Sequence, residues 1–242
     1  MSELVTPYHE KNSGKKQQVE KMFNNIASRY DLMNTVLSAG IHKRWRKKAI
    51  DILVPAQPKF ILDLATGTGD LAIEAMRLHP EKIIAADISE GMMEVGKEKI
   101  KKLKLEHKIF FQKGDSENLP FGENTFDAIT VGFGVRNFED LEKGLRNMYK
   151  VLKPGGKAVI LEFSKVKKFP LKQFYNFYFR FITPLIGRMF TKDKAAYTYL
   201  PESVGAFPDG KDFLEILLKV GFKDVQAKLL NAGIATIYTG LK

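Results

Sequence analysis

The chain of 242 residues has no cysteine, so disulfide staples, thiolate nucleophiles and cysteine metal sites are all excluded. Its four histidines, His9, His42, His79 and His107, are scattered without ligand spacing, and no metal is expected. No apolar run reaches the roughly 18–20 residues of a membrane span, and no secretory leader precedes the first expected helix. A cytoplasmic protein is therefore expected. There is a single tryptophan, Trp45, against 18 phenylalanines and eight tyrosines. No internal repeat and no long linker are visible, and 44% apolar content suffices for one domain with a full core.

What is present is organised around Lys59–Asp70. Phe60-Ile61-Leu62 and Leu64 read as a buried strand, Gly67-Thr68-Gly69 as a tight turn, and Leu71-Ala72-Ile73 with Ala75-Met76 as a helix. Glycines at such a turn let the backbone approach a ligand at the helix start. Asp87 ends the next apolar run, Ile83–Ala86, where a carboxylate meets ribose hydroxyls in a doubly wound α/β fold. Gly67, Gly69 and Ala72 also satisfy the dinucleotide pattern G-x-G-x-x-A, so NAD has to be weighed. Asp63 and Asp70, on either side of the turn, would repel a pyrophosphate. A cationic ligand such as S-adenosylmethionine is the better electrostatic match. For Asp70 the alternative is an ordinary helix-start carboxylate favoured by the dipole.

Further strands follow in order. Ile109–Gln112 leads to Asp115-Ser116, placed at a strand end within reach of an adenine amino group. Phe126–Val131 runs into Gly132-Phe133-Gly134-Val135-Arg136-Asn137, and Leu152-Lys153-Pro154-Gly155-Gly156 turns into a strand over Ala158–Phe163. This succession resembles the class I methyltransferase fold. It implies an α/β sheet of seven strands in the order 3-2-1-4-5-7-6, with strand 7 antiparallel.

Before this core, one helix is expected from Gln17, with Val19, Met22, Phe23, Ile26 and Tyr30 on one face. Asp31–Asn34 opens a second short element, and Ser38-Ala39-Gly40 breaks the chain. His42–Leu53 forms a further helix whose free faces carry Lys43, Arg44, Arg46, Lys47 and Lys48. Phe23-x-x-Ile26-Ala27-x-x-Tyr30-Asp31-Leu32-Met33-Asn34, Ser38-x-Gly40-Ile41-His42-x-Arg44-Trp45-Arg46, Gly132–Asn137 and Leu161-Glu162-Phe163-Ser164 resemble the ubiquinone/menaquinone biosynthesis C-methyltransferase family. The resemblance runs from about Phe23 to the end.

The net charge of +11 is unevenly spread. Residues 1–60 carry 11 basic and 5 acidic side chains, residues 61–164 carry 15 and 17, residues 165–194 carry 8 and 1, and the remainder 5 and 5. The basic surplus fits solvated faces, or an anionic membrane or nucleic acid. After Phe163, basic residues (Lys172, Arg180, Arg188) interleave with Phe174, Tyr175, Phe177, Tyr178, Phe179 and Phe181 before Pro184, Gly187 and Met189-Phe190. This stretch reads as a core-packing insertion, as a greasy lid admitting a polyprenylated ring beside anionic lipid, or as a single-stranded RNA surface. Asp212–Val220, ended by Gly221, is an amphipathic helix, and Val225–Leu230 with Ile234–Gly240 form the closing strands. The organisation is one methyltransferase domain: a helical cap over 1–58, a cofactor-binding core over 59–164, an insertion and last helix over 165–221, and closing strands over 222–242.

The resemblance implies methyl transfer from S-adenosylmethionine to a ring carbon of a polyprenyl quinol, with the menaquinone precursor preferred over the ubiquinone precursor. It maps Thr68, Asp87, Asp115 and Ser116 onto cofactor-binding positions. Asp63, Gly67, Gly69, Ile88, Met92 and Gly132 complete that set, Gly132 standing where family members can carry serine. A carbon nucleophile requires an ionised neighbouring hydroxyl, and a phenol with a pKa near ~10 needs a cation beside it at neutral pH. Arg136 is the candidate for that cation, acting directly or through a water, and Asn137 for orienting the ring oxygen or that water. The structural alternative for Arg136 is a link to Glu139. Tyr30 and Tyr197 are candidates for holding the substrate. Partners expected are the quinol and, peripherally, the inner face of an anionic membrane; no nucleic acid is expected, and a homodimer is compatible with the sequence. An RNA methyltransferase and a cofactor-binding scaffold of a quinone-biosynthesis complex are the rival readings.

Overall fold

The computed structural model describes residues 4–166, 169–177, 193 and 195–242. Seven strands form one sheet: β1 (Phe60–Leu64), β2 (Lys82–Asp87), β3 (Ile109–Lys113), β4 (Phe126–Gly132), β5 (Leu152–Phe163), β6 (Lys223–Leu230) and β7 (Ala235–Leu241). Their order is β3-β2-β1-β4-β5-β7-β6, as expected. β1 to β5 run parallel and β7 lies antiparallel between β5 and β6. A central parallel strand is covered on both faces, which is why β1 reads as an almost unbroken apolar run.

Alternation along the strands divides the core in two. Leu62, Leu64, Ile129 and Val131 join α6 (Leu141–Val151) and α9 (Lys211–Val220) through Leu145, Met148, Phe213 and Leu217. Ile61, Ile83, Ala128 and Val159 face the other way, toward α3 (Ile41–Asp51) and α4 (Asp70–Ala75), against Trp45, Ala49, Ile50 and Leu71. α5 (Glu90–Lys102) starts after β2, and Ser89 caps it by accepting from the Met92 amide. Gly221 ends α9 at φ 120°, the left-handed stop the sequence predicts.

Three expectations need correction. The first expected helix is not continuous: α1 (Lys15–Ile26) stops, a 3-10 turn covers Ala27–Arg29, and Tyr30 opens α2 (Tyr30–Leu37). Ala39 and Gly40 then adopt φ 47° and 75°, turning the chain into α3. The third expected helix therefore begins one residue early, at Ile41, and ends at Asp51 rather than Leu53. β5 begins at Leu152 instead of Ala158, because Leu152 already pairs with Phe126 and the Gly155 amide donates to Lys242 O.

In the aromatic insertion, α7 spans Leu171–Phe177 and α8 spans Ala195–Ala206. Tyr178, Phe179, Arg180, Phe181, Pro184, Gly187, Arg188, Met189 and Phe190 lie outside the described residues, as does the side chain of Phe174. Among the described residues, no helix is long and apolar enough to cross a membrane.

Candidate functional site

The carboxyl ends of β1, β2 and β4 converge on two adjoining cavities. The first is a cleft lined by Gly67, Asp87, Ile88, Met92, Asp115, Ser116, Gly132 and Asn137, with Tyr30 and Lys16 beside them. The second, of about 710 Å³, is lined by Tyr30, Met33, Leu37, Trp45, Phe163, Tyr175 and Tyr199, with Asp63, Thr68 and Arg136 among its polar groups. Gly67, Gly132 and Phe133 border both, so the two spaces meet at the glycine turn.

At the cleft, Asp87 accepts from the Gly67 amide at 2.7 Å and the Ser89 amide at 2.8 Å, one on each oxygen. Burial raises its pKa, and these amides, with that of Ile88, oppose the shift. Acceptor capacity remains on the carboxylate for a ligand hydroxyl. Gly67 takes φ 56°, and a Cβ there would stand 3.2 Å from Met92 Cε. Gly69 lines neither cavity; it takes φ 78° and caps α4, under the tip of Phe111. Gly132 ends β4 close to Leu71, whose Cδ2 lies 3.2 Å from where a Cβ would be. Asp115 accepts from the Glu117 amide and from Lys16 Nζ at 2.7 Å, and Ser116 is buried beside it. Ile88 packs against Val19, Met22 and Tyr199.

The charges around the turn differ from the expectation. Asp63 is fully buried, with Thr130 on one oxygen at 2.6 Å and Thr66 on the other. Burial pushes its pKa up to about 6 against those hydroxyls. It holds the loop together rather than presenting a bare charge. Burial would also raise Asp70, but Arg46 at 2.9 Å and Lys99 at 2.6 Å hold its pKa below the ordinary carboxylate value. Lys99 also meets Asp31 at 2.6 Å, and Thr68 donates to Asp31 at 2.6 Å. Thr68 is thus tied into a network joining α2, α3, α4 and α5. Among the described residues, the cleft-lining carboxylates without an ion pair are Asp87 and Glu139, not Asp63 and Asp70.

At the larger cavity, Arg136 donates from Nη1 to Glu162 Oε1 at 2.8 Å and to the Phe133 carbonyl. Its guanidinium carbon lies 5.5 Å from the centre of the Phe163 ring. Burial opposes the guanidinium charge, and the Glu162 carboxylate outweighs it, so the pKa is raised. The structural partner is therefore Glu162; Glu139 instead accepts from the Lys15 amide at 2.7 Å. Asn137 Nδ2 points to the Phe133 carbonyl at 3.4 Å. Burial raises the Tyr30 pKa, and its ring meets Phe23 edge-on. Tyr197 falls on α8, with its side chain outside the described set.

Several participants were invisible in the sequence. Lys15 Nζ donates to the Arg136 and Phe138 carbonyls at 2.8 and 2.9 Å, and Lys16 reaches Asp115. Two lysines opening a helix oppose its dipole, a local anomaly that could have marked them as partnered elsewhere. Glu162 stood in the sequence only as part of the Leu161–Ser164 motif, with no role attached, and Tyr199 gave no such signal.

The family model described as the ubiE/COQ5 methyltransferase family matches residues 11–242. A demethylmenaquinone methyltransferase of Bacteroides fragilis is 51% identical over 242 residues, covering 99% of this chain and 98% of that protein. A ubiquinone/menaquinone biosynthesis C-methyltransferase of Geobacter sulfurreducens, UbiE, is 42% identical, covering 94% and 90%. Among solved structures, a SAM-dependent methyltransferase from Thermotoga maritima superposes with a TM-score of 0.63 at 19% identity, covering 92% of this chain and 98% of that one, which shows a shared fold. With its strand order, its glycine turn and a family match over nearly its whole length, this chain belongs to the ubiE/COQ5 methyltransferase family.

Proposed function

We propose that the chain transfers a methyl group from S-adenosylmethionine to a ring carbon of a polyprenyl quinol, with demethylmenaquinol as substrate. The observation that carries this reading is the junction at Gly67, Gly132 and Phe133, where a cleft whose polar groups include Asp87, Asp115 and Ser116 meets a wide chamber lined by apolar and aromatic side chains. A nucleoside-bearing donor suits the first space and a tailed aromatic ring the second. The relatives named for demethylmenaquinone support the choice of ring.

The residues of the cleft fit the donor. Asp87 takes the ribose hydroxyls on its remaining lone pairs. Asp115 and Ser116 meet the adenine edge, with Ile88 and Met92 as its apolar neighbours. Gly67 and Gly132 keep side chains out of the backbone's approach, Gly69 turns the chain into α4, and Asp63 and Thr68 hold the loop in shape.

S-adenosylmethionine, when bound, supplies a methyl group on a cationic sulfur that needs no further activation. The protein's own task is alignment and a nucleophilic carbon. Arg136 stabilises the negative charge that grows on the quinol oxygen as its proton departs, and so lowers the barrier. Glu162 fixes that guanidinium from behind. Asn137 orients the same hydroxyl, and Tyr30 and Tyr197 hold the ring.

In this reading the whole chain is one catalytic unit, with α1 to α3 covering the cleft and the chamber and α7 and α8 lining the substrate side. It works in the cytoplasm and meets the inner membrane face peripherally to collect a tailed substrate. The basic surplus of residues 1–60 and 165–194 suits that anionic surface. The test is incubation of purified protein and labelled donor with reduced demethylmenaquinol, the corresponding ubiquinol precursor, or RNA. Label is expected in the menaquinol. Label in RNA alone would make the protein an RNA methyltransferase, and donor binding without transfer would make it a scaffold.

A further inference from the structure

Among the described residues, three buried side-chain polar atoms have no hydrogen-bond partner: Arg136 Nε, Asn137 Oδ1 and the Tyr199 hydroxyl. Folded proteins seldom leave such groups orphaned, since each forfeits its hydration without replacement. Here all three belong to one neighbourhood. Arg136 and Asn137 share the 3-10 turn Val135–Asn137, and α8, which carries Tyr199, packs against that turn. Tyr199 is 2% exposed and lines the same cavity as Arg136, while Asn137 lines the cleft that adjoins it.

The chemistry of the three atoms is complementary to one small group. Arg136 Nε and the Tyr199 hydroxyl donate, and Asn137 Oδ1 accepts. A phenolic hydroxyl has two acceptor positions and one donor, so it can satisfy all three. Once it ionises, the two donors remain directed at the oxygen. We propose that Tyr199 is a direct ligand of the quinol hydroxyl next to the methylated carbon, donating a hydrogen bond that it shares with Arg136.

Tyr199 acts as a donor and keeps its own proton. Burial raises its pKa well above the ordinary tyrosine value, and only the Arg136 charge works the other way, with the Glu162 carboxylate siding with burial. The ordinary phenol of the substrate is therefore the group that ionises between them. The hydroxyl also explains an arrangement that packing does not require. The ring already sits against Val19 and Met22, where a phenylalanine would pack equally well.

This inference rests on the quinol reading, and the experiment separates the two. Tyr199→Phe and the parent protein are compared with S-adenosylmethionine and reduced demethylmenaquinol across pH, with donor affinity and Tm measured in parallel. The variant is expected to keep its donor affinity and to match or exceed the parent's Tm, since no hydrogen bond among the described residues is lost and a buried hydroxyl without a partner is removed. Its kcat/KM for the quinol should fall by about 100-fold, as when one donor to a developing oxyanion is removed. The rise of kcat with pH should also move to higher pH, because the bound hydroxyl is harder to ionise. An active parent with an equally active variant and an unmoved pH profile would overturn the role of Tyr199 and leave the quinol reading standing. A fall in Tm with unchanged kinetics, or loss of the fold, would make the hydroxyl structural and overturn it too. A parent that methylates no quinol would overturn both.

Discussion

Glu162 accepts two hydrogen bonds from Arg136, one from guanidinium Nη1 at 2.8 Å and one from the backbone amide at 3.3 Å. The carboxylate is fully buried and the guanidinium nearly so. Removing one member of such a pair strands the other charge. Arg136→Ala is therefore expected to cost about 3–5 kcal/mol of stability besides its effect on turnover. Arg136→Ala combined with Glu162→Gln should recover much of that loss without recovering activity. Urea unfolding and kcat measured on the same preparations test this; a double variant as unstable as Arg136→Ala alone would count against the pairing.

Asp87→Ala removes the acceptor for two backbone amides and the lone pairs assigned to the ribose. The Kd for S-adenosylmethionine should rise roughly 10- to 100-fold, the range for losing hydrogen bonds to a charged group. Isothermal calorimetry provides the measurement. An unchanged Kd in a folded variant would remove Asp87 from the ribose.

The tip of the Phe111 ring is wedged between two glycines. A Cβ at Gly69 would stand 2.8 Å from Phe111 Cζ, and one at Gly96 would come closer still. In an α-helix, Gly→Ala ordinarily gains about 1 kcal/mol, but overpacking here should cost about 1–3 kcal/mol and win. Gly96→Ala should thus destabilise the parent protein yet stabilise a Phe111→Leu background. Thermal melts of the four proteins decide it, and a stabilised Gly96→Ala single variant would contradict the wedge. Gly69→Ala should be rescued only in part, because its φ of 78° strains any side chain.

His42 is buried against Ser38, and burial followed by the nearby Arg46 charge brings its pKa from 6.5 to about 4. Between those values the unfolded chain binds the proton and the folded protein does not. Stability is therefore lost as pH falls from 6.5 toward 4, by on the order of 3 kcal/mol. Asp63 works in the opposite sense. Its pKa, pushed up from 3.8 to about 6, makes the folded state take up a proton first and gain stability as pH falls through that window. Comparing the parent with His42→Gln cancels the Asp63 contribution. Urea unfolding at pH 4.5 and 7.5 should give a smaller acid loss in the variant; equal losses would refute the shift.

Much of the fold was legible because its signals are local. β1, β2 and β4 announce themselves as apolar runs, and Gly67 and Gly69 take the positive φ that few other residues adopt without strain. Asp87 could be placed because the sheet brings the strand end after β2 beside the turn after β1, a consequence of topology alone. Helix ends were less legible. The break at Ala27–Arg29 leaves Tyr30 on a new helix although its spacing from Phe23 and Ile26 fits the old one.

The charges were misjudged for a different reason. Sequence proximity suggested Glu139 for Arg136 and bare carboxylates at Asp63 and Asp70, whereas Glu162, Thr130, Arg46 and Lys99 hold them. Sequence alone determined most strand and helix segments and the glycine turn, because backbone preference and apolar periodicity act over a few neighbouring residues; the strand order was expected only through the resemblance to the class I methyltransferase fold. Only the tertiary structure decided which ionic groups neutralise one another and that the Tyr199 hydroxyl has no partner among the described residues. Those relationships depend on separation in space, which the folded sheet sets independently of separation along the chain.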